Sequence, residues 1–160
     1  HTKETIGFHK LLNNIIMNRF EDAIHTARRE EGELTTERFS ELWMEQQEKL
    51  YGDSVTLTDE YGIWWSYIPH FLHTPGYVYA YAFGELLVMA LYEEFTQRPE
   101  GFADKYMELL SAGGSEWPHE LVAKMGLDIT DPAFWNKGLK SLERMIEEAE
   151  ALNEQISNNN

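Results

Sequence analysis

From Lys3 to Glu31 the apolar residues Phe8, Leu12, Ile15, Phe20, Ala23 and Ala27 recur at steps of three to five, which lines them up on one face of a helix. Gly32 follows as a stop, because glycine enters the left-handed conformation that ends helices without a side-chain clash. Thr35 is placed to cap a second helix with Phe39, Leu42, Trp43 and Leu50 as its buried stripe and Gly52 as its end. The short link makes these two helices antiparallel neighbours. Residues 53–73 show neither a helical nor a strand period, contain Gly62 and Pro69, and are dense in aromatics, so they read as a long packed loop with about one turn of helix.

Thr74-Pro75 pairs a capping residue with proline at the first helical position, and predicts a helix from there to about Arg98. Between Pro75 and Tyr92 the only charge is Glu85, so this helix is apolar around its circumference and needs cover on nearly every side. It falls short of the roughly 20 apolar residues of a membrane span. It also holds four tyrosines and a glutamate, so the reading is a buried core helix and no membrane partner. The remaining helices are mostly one-sided, which predicts that part of the cover comes from outside, by self-association or from a partner. A further helix is expected over 99–112, with Phe102, Tyr106, Leu109 and Leu110 inward and Gly113-Gly114 closing it. Ser115 then caps a short helix. Asp131-Pro132 opens the last one, with Trp135, Leu139, Leu142, Ile146, Ala149, Leu152 and Ile156 on one face. No strand pattern or internal repeat is present. The expected fold is all-α, an irregular bundle of about six helices with one long aromatic loop, over residues 1–156, followed by a disordered tail at 157–160.

An apolar content of 42% and an aromatic content of 13% are too high for a disordered chain, so the net charge of −15 must lie on the surface of a packed structure. Such a charge repels nucleic acid and anionic lipid, and no basic patch offsets it. The 160 residues suffice for one domain with its own core. The absence of cysteine excludes disulfides and thiolate metal sites and suits the cytoplasm. The chain begins with His1 rather than methionine, which fits a fragment or a processed chain.

Among motifs, His119-Glu120 opens like the HExxH helix of zinc peptidases, but position 123, which should carry the second histidine, is Ala123. His70 and His73 form an HxxH pair with no third ligand at a plausible spacing apart from Glu85, so no self-sufficient zinc site is expected. No phosphate-binding glycine loop or nucleophile elbow occurs. On a helix Tyr77, Tyr81, Gly84 and Val88 share one face, and the loop brings His70 to that end. Two phenols and an imidazole are suited to donating hydrogen bonds to an oxyanion. Spacing alone favours a plainer reading, since aromatics at helical intervals are usually core.

The run from Ile68 to Tyr92 resembles the PHF…YVYxYAxG segment of oligoendopeptidase F, in the group that includes thimet oligopeptidase. Arg19-Phe20-Glu21 with His25 is similar to the RFE…H helix upstream of it. Gly113-Gly114-Ser115, Pro118-His119-Glu120-Leu121, Gly126, Asp128, Asp131-Pro132, Phe134-Trp135 and Gly138 resemble the ending of that family in order. The resemblance implies the C-terminal helical part of a zinc-dependent peptidase that hydrolyses short peptides in a channel, with HExxH and the third zinc ligand upstream of this region and absent from it. Zinc is then a cofactor of the complete enzyme, held by no ligand here, and the upstream part of the enzyme is an expected partner. The resemblance also implies that His70 and Tyr77 bind substrate backbone and stabilise the oxyanion, and that Tyr81 and His73 line the same cleft; Tyr79, nearly opposite on the helix, is expected in the core. The alternative is an acidic helical module that binds a protein partner through its aromatic loop and has no activity.

Overall fold

The computed structural model describes the backbone of residues 2–158 and the side chains of residues 11–157, so the side chain of Phe8 and the last two asparagines lie outside the described residues. Seven α-helices are present among the described residues: α1 Thr2–Glu31, α2 Thr36–Tyr51, α3 His70–His73, α4 Tyr79–Gln97, α5 Phe102–Ala112, α6 Pro118–Ala123 and α7 Pro132–Asn158. Two 3₁₀ stretches, Gly52–Ser54 and Asp59–Tyr67, join α2 to α3. The fold is all-α. It divides into two compact units, His1–Phe83 and Gly84–Asn160.

In the first unit the helix ends follow from local chemistry. Gly32 closes α1 at φ 91°, and the Thr35 hydroxyl accepts the Arg38 N–H at 3.2 Å to cap α2. Gly52 closes α2 at φ 50°. The core joins Phe20, Ile24 and Ala27 of α1 to Leu42 and Trp43 of α2 and to Phe71 and Val78. Phe20 is fully buried and meets Trp43 and Phe71 edge-on, with ring centroids 5.2 and 5.0 Å away. Burying such a ring contributes about 1.5–3 kcal/mol, before the aromatic contacts are added.

The aromatic segment is more ordered than its sequence suggests. Its second 3₁₀ stretch lies against α2, with Trp65 stacked on Phe39 at 4.9 Å and the Tyr61 hydroxyl donating to Gln47 Oε1 at 3.4 Å. A 3₁₀ turn stacks residues i and i+3 and so leaves no 3.6-residue period to be read. A second departure follows Thr74-Pro75. The helix expected at Pro75 starts at Tyr79, because the chain first turns through Gly76 at φ 78°. Tyr77 therefore precedes α4. Tyr79, in the first turn, is exposed rather than in the core, and Val78 is the residue that turns inward.

In the second unit Ala90 and Leu91 of α4 pack with Met125 and Phe134, flanked by Phe102, Tyr106 and Leu109 of α5. The N-terminus of α7 is as expected, with Asp131 Oδ1 accepting the Ala133 N–H at 2.8 Å. That of α6 is not: Trp117 takes the capping position and the Glu120 carboxylate accepts its N–H, so Ser115 does not cap this helix. Leu110, expected inward, is exposed. So is one side of α4, where Val88, Tyr92 and Phe95 are uncovered within this chain. With Leu91, Phe102 and Tyr106 they line an apolar pocket of about 290 Å³. The outer apolar positions Ile146, Leu152 and Ile156 of α7 are exposed too, and α7 runs through Ser157 into the expected tail. No helix among the described residues is long and apolar enough to cross a membrane.

Candidate active site

Three of the four residues singled out from the sequence come together in the first unit. Pro69 opens the single turn α3, which begins at His70 and packs its next residue, Phe71, into the core, leaving the imidazole half-buried at the surface. The turn at Thr74–Tyr77, closed by the Tyr77 N–H donating to the Thr74 carbonyl at 3.2 Å, brings the chain back beside His70. The rings of His70 and Tyr77 are nearly parallel, 6° apart, with centroids separated by 6.2 Å. Tyr81 stands perpendicular to both, at 5.4 Å from His70 and 5.7 Å from Tyr77.

His70 Nε2 and the Tyr81 hydroxyl are 2.8 Å apart. In the tautomer with Nδ1 protonated the phenol donates to Nε2; with Nε2 protonated the imidazole donates to the phenol oxygen. Tyr77 is 50% exposed and Tyr81 39%, so both phenols face out of the core. The Tyr77 hydroxyl has no hydrogen-bond partner among the described residues, which leaves its proton available to an acceptor from outside. His73 ends α3 in an exposed position and shares no ring contact or hydrogen bond with the other three among the described residues.

Among the described residues no group of three or more His, Asp or Glu side chains is placed to hold a metal ion. The donor set at this site, one imidazole and two phenols, does not fit a zinc site, which takes several imidazole or carboxylate ligands. The site can offer O–H and N–H donors to a carbonyl oxygen, and aromatic surface to a peptide.

One residue without an assigned role in the sequence belongs beside this group. The buried carboxylate of Glu21 on α1 accepts the Gly76 N–H at 2.5 Å, next to Tyr77. Its signal is visible in the pattern of α1: Glu21 shares the buried face with Met17, Phe20, Ile24 and Ala27, where a charge is out of place.

The sequence pattern of Peptidase family M3 matches residues 2–141. The chain belongs to Peptidase family M3. It is 34% identical over 133 residues to Oligopeptidase PepF of Bacillus subtilis, covering 83% of this chain and 20% of that protein. Group B oligopeptidase PepB of Streptococcus agalactiae is 34% identical over 135 residues, again 83% of this chain and 22% of that protein. Oligoendopeptidase F (plasmid) of Lactococcus lactis subsp. cremoris is 33% identical, with 83% and 22% covered. A crystal structure described as that of a peptidase from Chlamydophila abortus superposes with a TM-score of 0.77 at 30% identity, over 91% of this chain and 24% of that one. The chain thus spans about a fifth of the length of the curated relatives it matches. The M3 match includes α1, the aromatic segment and the His70, Tyr77 and Tyr81 cluster.

Proposed function

We propose that this chain forms part of the active-site wall of a zinc-dependent oligoendopeptidase, where His70 and Tyr77 stabilise the oxyanion of the tetrahedral intermediate and Tyr81 orients His70. The observation that carries this reading is the exposed, mutually packed trio of rings in a chain of Peptidase family M3, with one phenol proton uncommitted. Membership of the family also supports short peptides as substrates. The zinc ligands are then supplied by groups outside this chain. The absence of cysteine fits a cytoplasmic enzyme.

The part these residues play follows from charge development. When water adds to the scissile carbonyl its oxygen gains negative charge, and a preset donor strengthens its hydrogen bond as that charge grows. A phenol held by its own backbone neighbours loses little freedom in doing so. The imidazole, bonded to Tyr81, is restrained in the same way.

Tyr77→Phe in the active, full-length peptidase tests the proposal. It removes one donor and keeps the ring, so kcat is expected to fall about 10²-fold, with KM changed much less. His70→Ala should act alike. Wild-type kcat in Tyr77→Phe, at unchanged metal content and melting temperature, would remove the oxyanion role and leave Tyr77 as packing.

A further inference from the structure

Glu21 is only 3% exposed, and while one of its oxygens holds the Gly76 N–H, the other, Oε2, is buried with no hydrogen-bond partner among the described residues. A buried carboxylate oxygen without a donor is destabilising, and an apolar side chain of similar length would fill this place in the α1 face at lower cost. The position therefore carries something other than packing.

What it holds is the residue before Tyr77. Gly76 adopts φ 78°, and the residue after Tyr77, Val78, is buried in the core. Tyr77 is thus fastened on both sides while its own ring remains half exposed. The neighbour of Glu21 acts at the other arm of the site: Phe20 meets Phe71, the residue after His70, edge-on at 5.0 Å. Two consecutive residues of α1 reach the chain neighbours of both proposed oxyanion donors. Hydrogen bonds from backbone N–H groups to a carboxylate are stronger than those to neutral acceptors, so Glu21 holds the Gly76 N–H more firmly than a neutral side chain in its place would.

We infer that Glu21 is a positioning residue, which through Gly76 sets the Tyr77 phenol relative to His70; this rests on the oxyanion reading above. Misplacing a reacting or stabilising group by about 1 Å costs up to about 10²-fold in rate, so a loosened turn at residues 74–78 should be read out in turnover.

The test uses the full-length active peptidase with Glu21→Met, which keeps length and apolar fit but removes the acceptor, and Glu21→Gln, which keeps an acceptor oxygen. Each is made alone and with Tyr77→Phe. Glu21→Met is expected to lower kcat about tenfold with KM within about threefold, and Glu21→Gln to recover most of that loss. In the Tyr77→Phe background Glu21→Met should change kcat by less than about twofold, because the group it positions no longer donates. Hydrogen exchange across residues 74–79 should accelerate in Glu21→Met and stay slow in Glu21→Gln. Wild-type kcat in Glu21→Met, or an undiminished effect of it in the Tyr77→Phe background, overturns the inference. If Glu21→Met does not fold, Glu21→Gln decides alone: retained protection at residues 74–79 with lost turnover overturns it, and retained protection with retained turnover upholds it. Normal turnover in Tyr77→Phe sinks the oxyanion reading, whereas low turnover there with normal turnover in Glu21→Met sinks only the positioning role.

Discussion

The imidazole Nε2 of His70 lies 2.8 Å from the Tyr81 hydroxyl, across a chain reversal that passes through Gly76. The bond makes the two side chains a unit. Tyr81→Phe should lower kcat/KM by about tenfold, less than Tyr77→Phe, since it frees the imidazole without removing an oxyanion donor. If the unit is real, His70→Ala should cost less in the Tyr81→Phe background than in the wild type, with a coupling of about 1 kcal/mol in a double-mutant cycle. Additive effects would show that the bond has no part in turnover.

Thr35 tests the reading of the α1–α2 connection. Its hydroxyl accepts the Arg38 N–H, so Thr35→Ala should lower stability by about 1 kcal/mol and Thr35→Ser by much less. Urea unfolding of the three proteins measures this. Equal midpoints for alanine and serine would mean that the cap contributes nothing.

These two sites differ in how far the sequence discloses them. The α1–α2 pair is written in short-range signals: an apolar period, Gly32, Thr35 and Gly52. His70, Tyr77 and Tyr81 stand out as residues by their motif. Their arrangement does not, because it depends on α4 starting at Tyr79 rather than Pro75. Thr74-Pro75 carries every local mark of a helix start, yet Gly76 takes φ 78° and the chain turns there instead, with its N–H held by Glu21, 55 residues earlier. A long-range bond of this kind leaves no periodic trace. The 3₁₀ stretch 59–67 escapes for a related reason, its order coming from packing of Tyr61 and Trp65 on α2. The apolar girth of α4 was legible, but its cover is not complete within the chain.

The second unit should show an acid-sensitive tie between α4 and α7. Hydrogen bonds from Arg144, then from Gln97, hold the Glu93 carboxyl below the ordinary glutamate range. A carboxylate whose folded pKa is depressed stabilises the fold above its unfolded value, and that contribution is lost as pH falls through the folded value. Arg144→Gln should therefore lower the urea midpoint at pH 7, and the difference from wild type should shrink at acidic pH, below the ordinary glutamate range. A difference that persists unchanged into strong acid would assign the effect of Arg144 to packing rather than charge.

Gly138 and Gly84 should respond to the same substitution with opposite signs. Both lie inside helices, where alanine is favoured over glycine by about 1 kcal/mol. At Gly84 of α4 a Cβ meets nothing within 4 Å, so Gly84→Ala should raise stability by about that amount. At Gly138 of α7 a Cβ would stand 3.0 Å from the Leu86 carbonyl oxygen and 3.4 Å from the Ala90 nitrogen, both backbone atoms of α4. Neither can swing aside as a side chain would. The helices must part by a few tenths of an ångström, in a region also tied by the ion pairs Lys137–Glu94 and Arg144–Glu93. Overpacking of this kind costs about 1–3 kcal/mol, which exceeds the propensity gain, so Gly138→Ala should be destabilising by up to about 2 kcal/mol. Chemical denaturation of both variants against wild type gives the two signs directly. A stabilised Gly138→Ala would mean that α7 can ride outward on α4 without loss, and that the ion pairs rather than close backbone approach hold the two helices together.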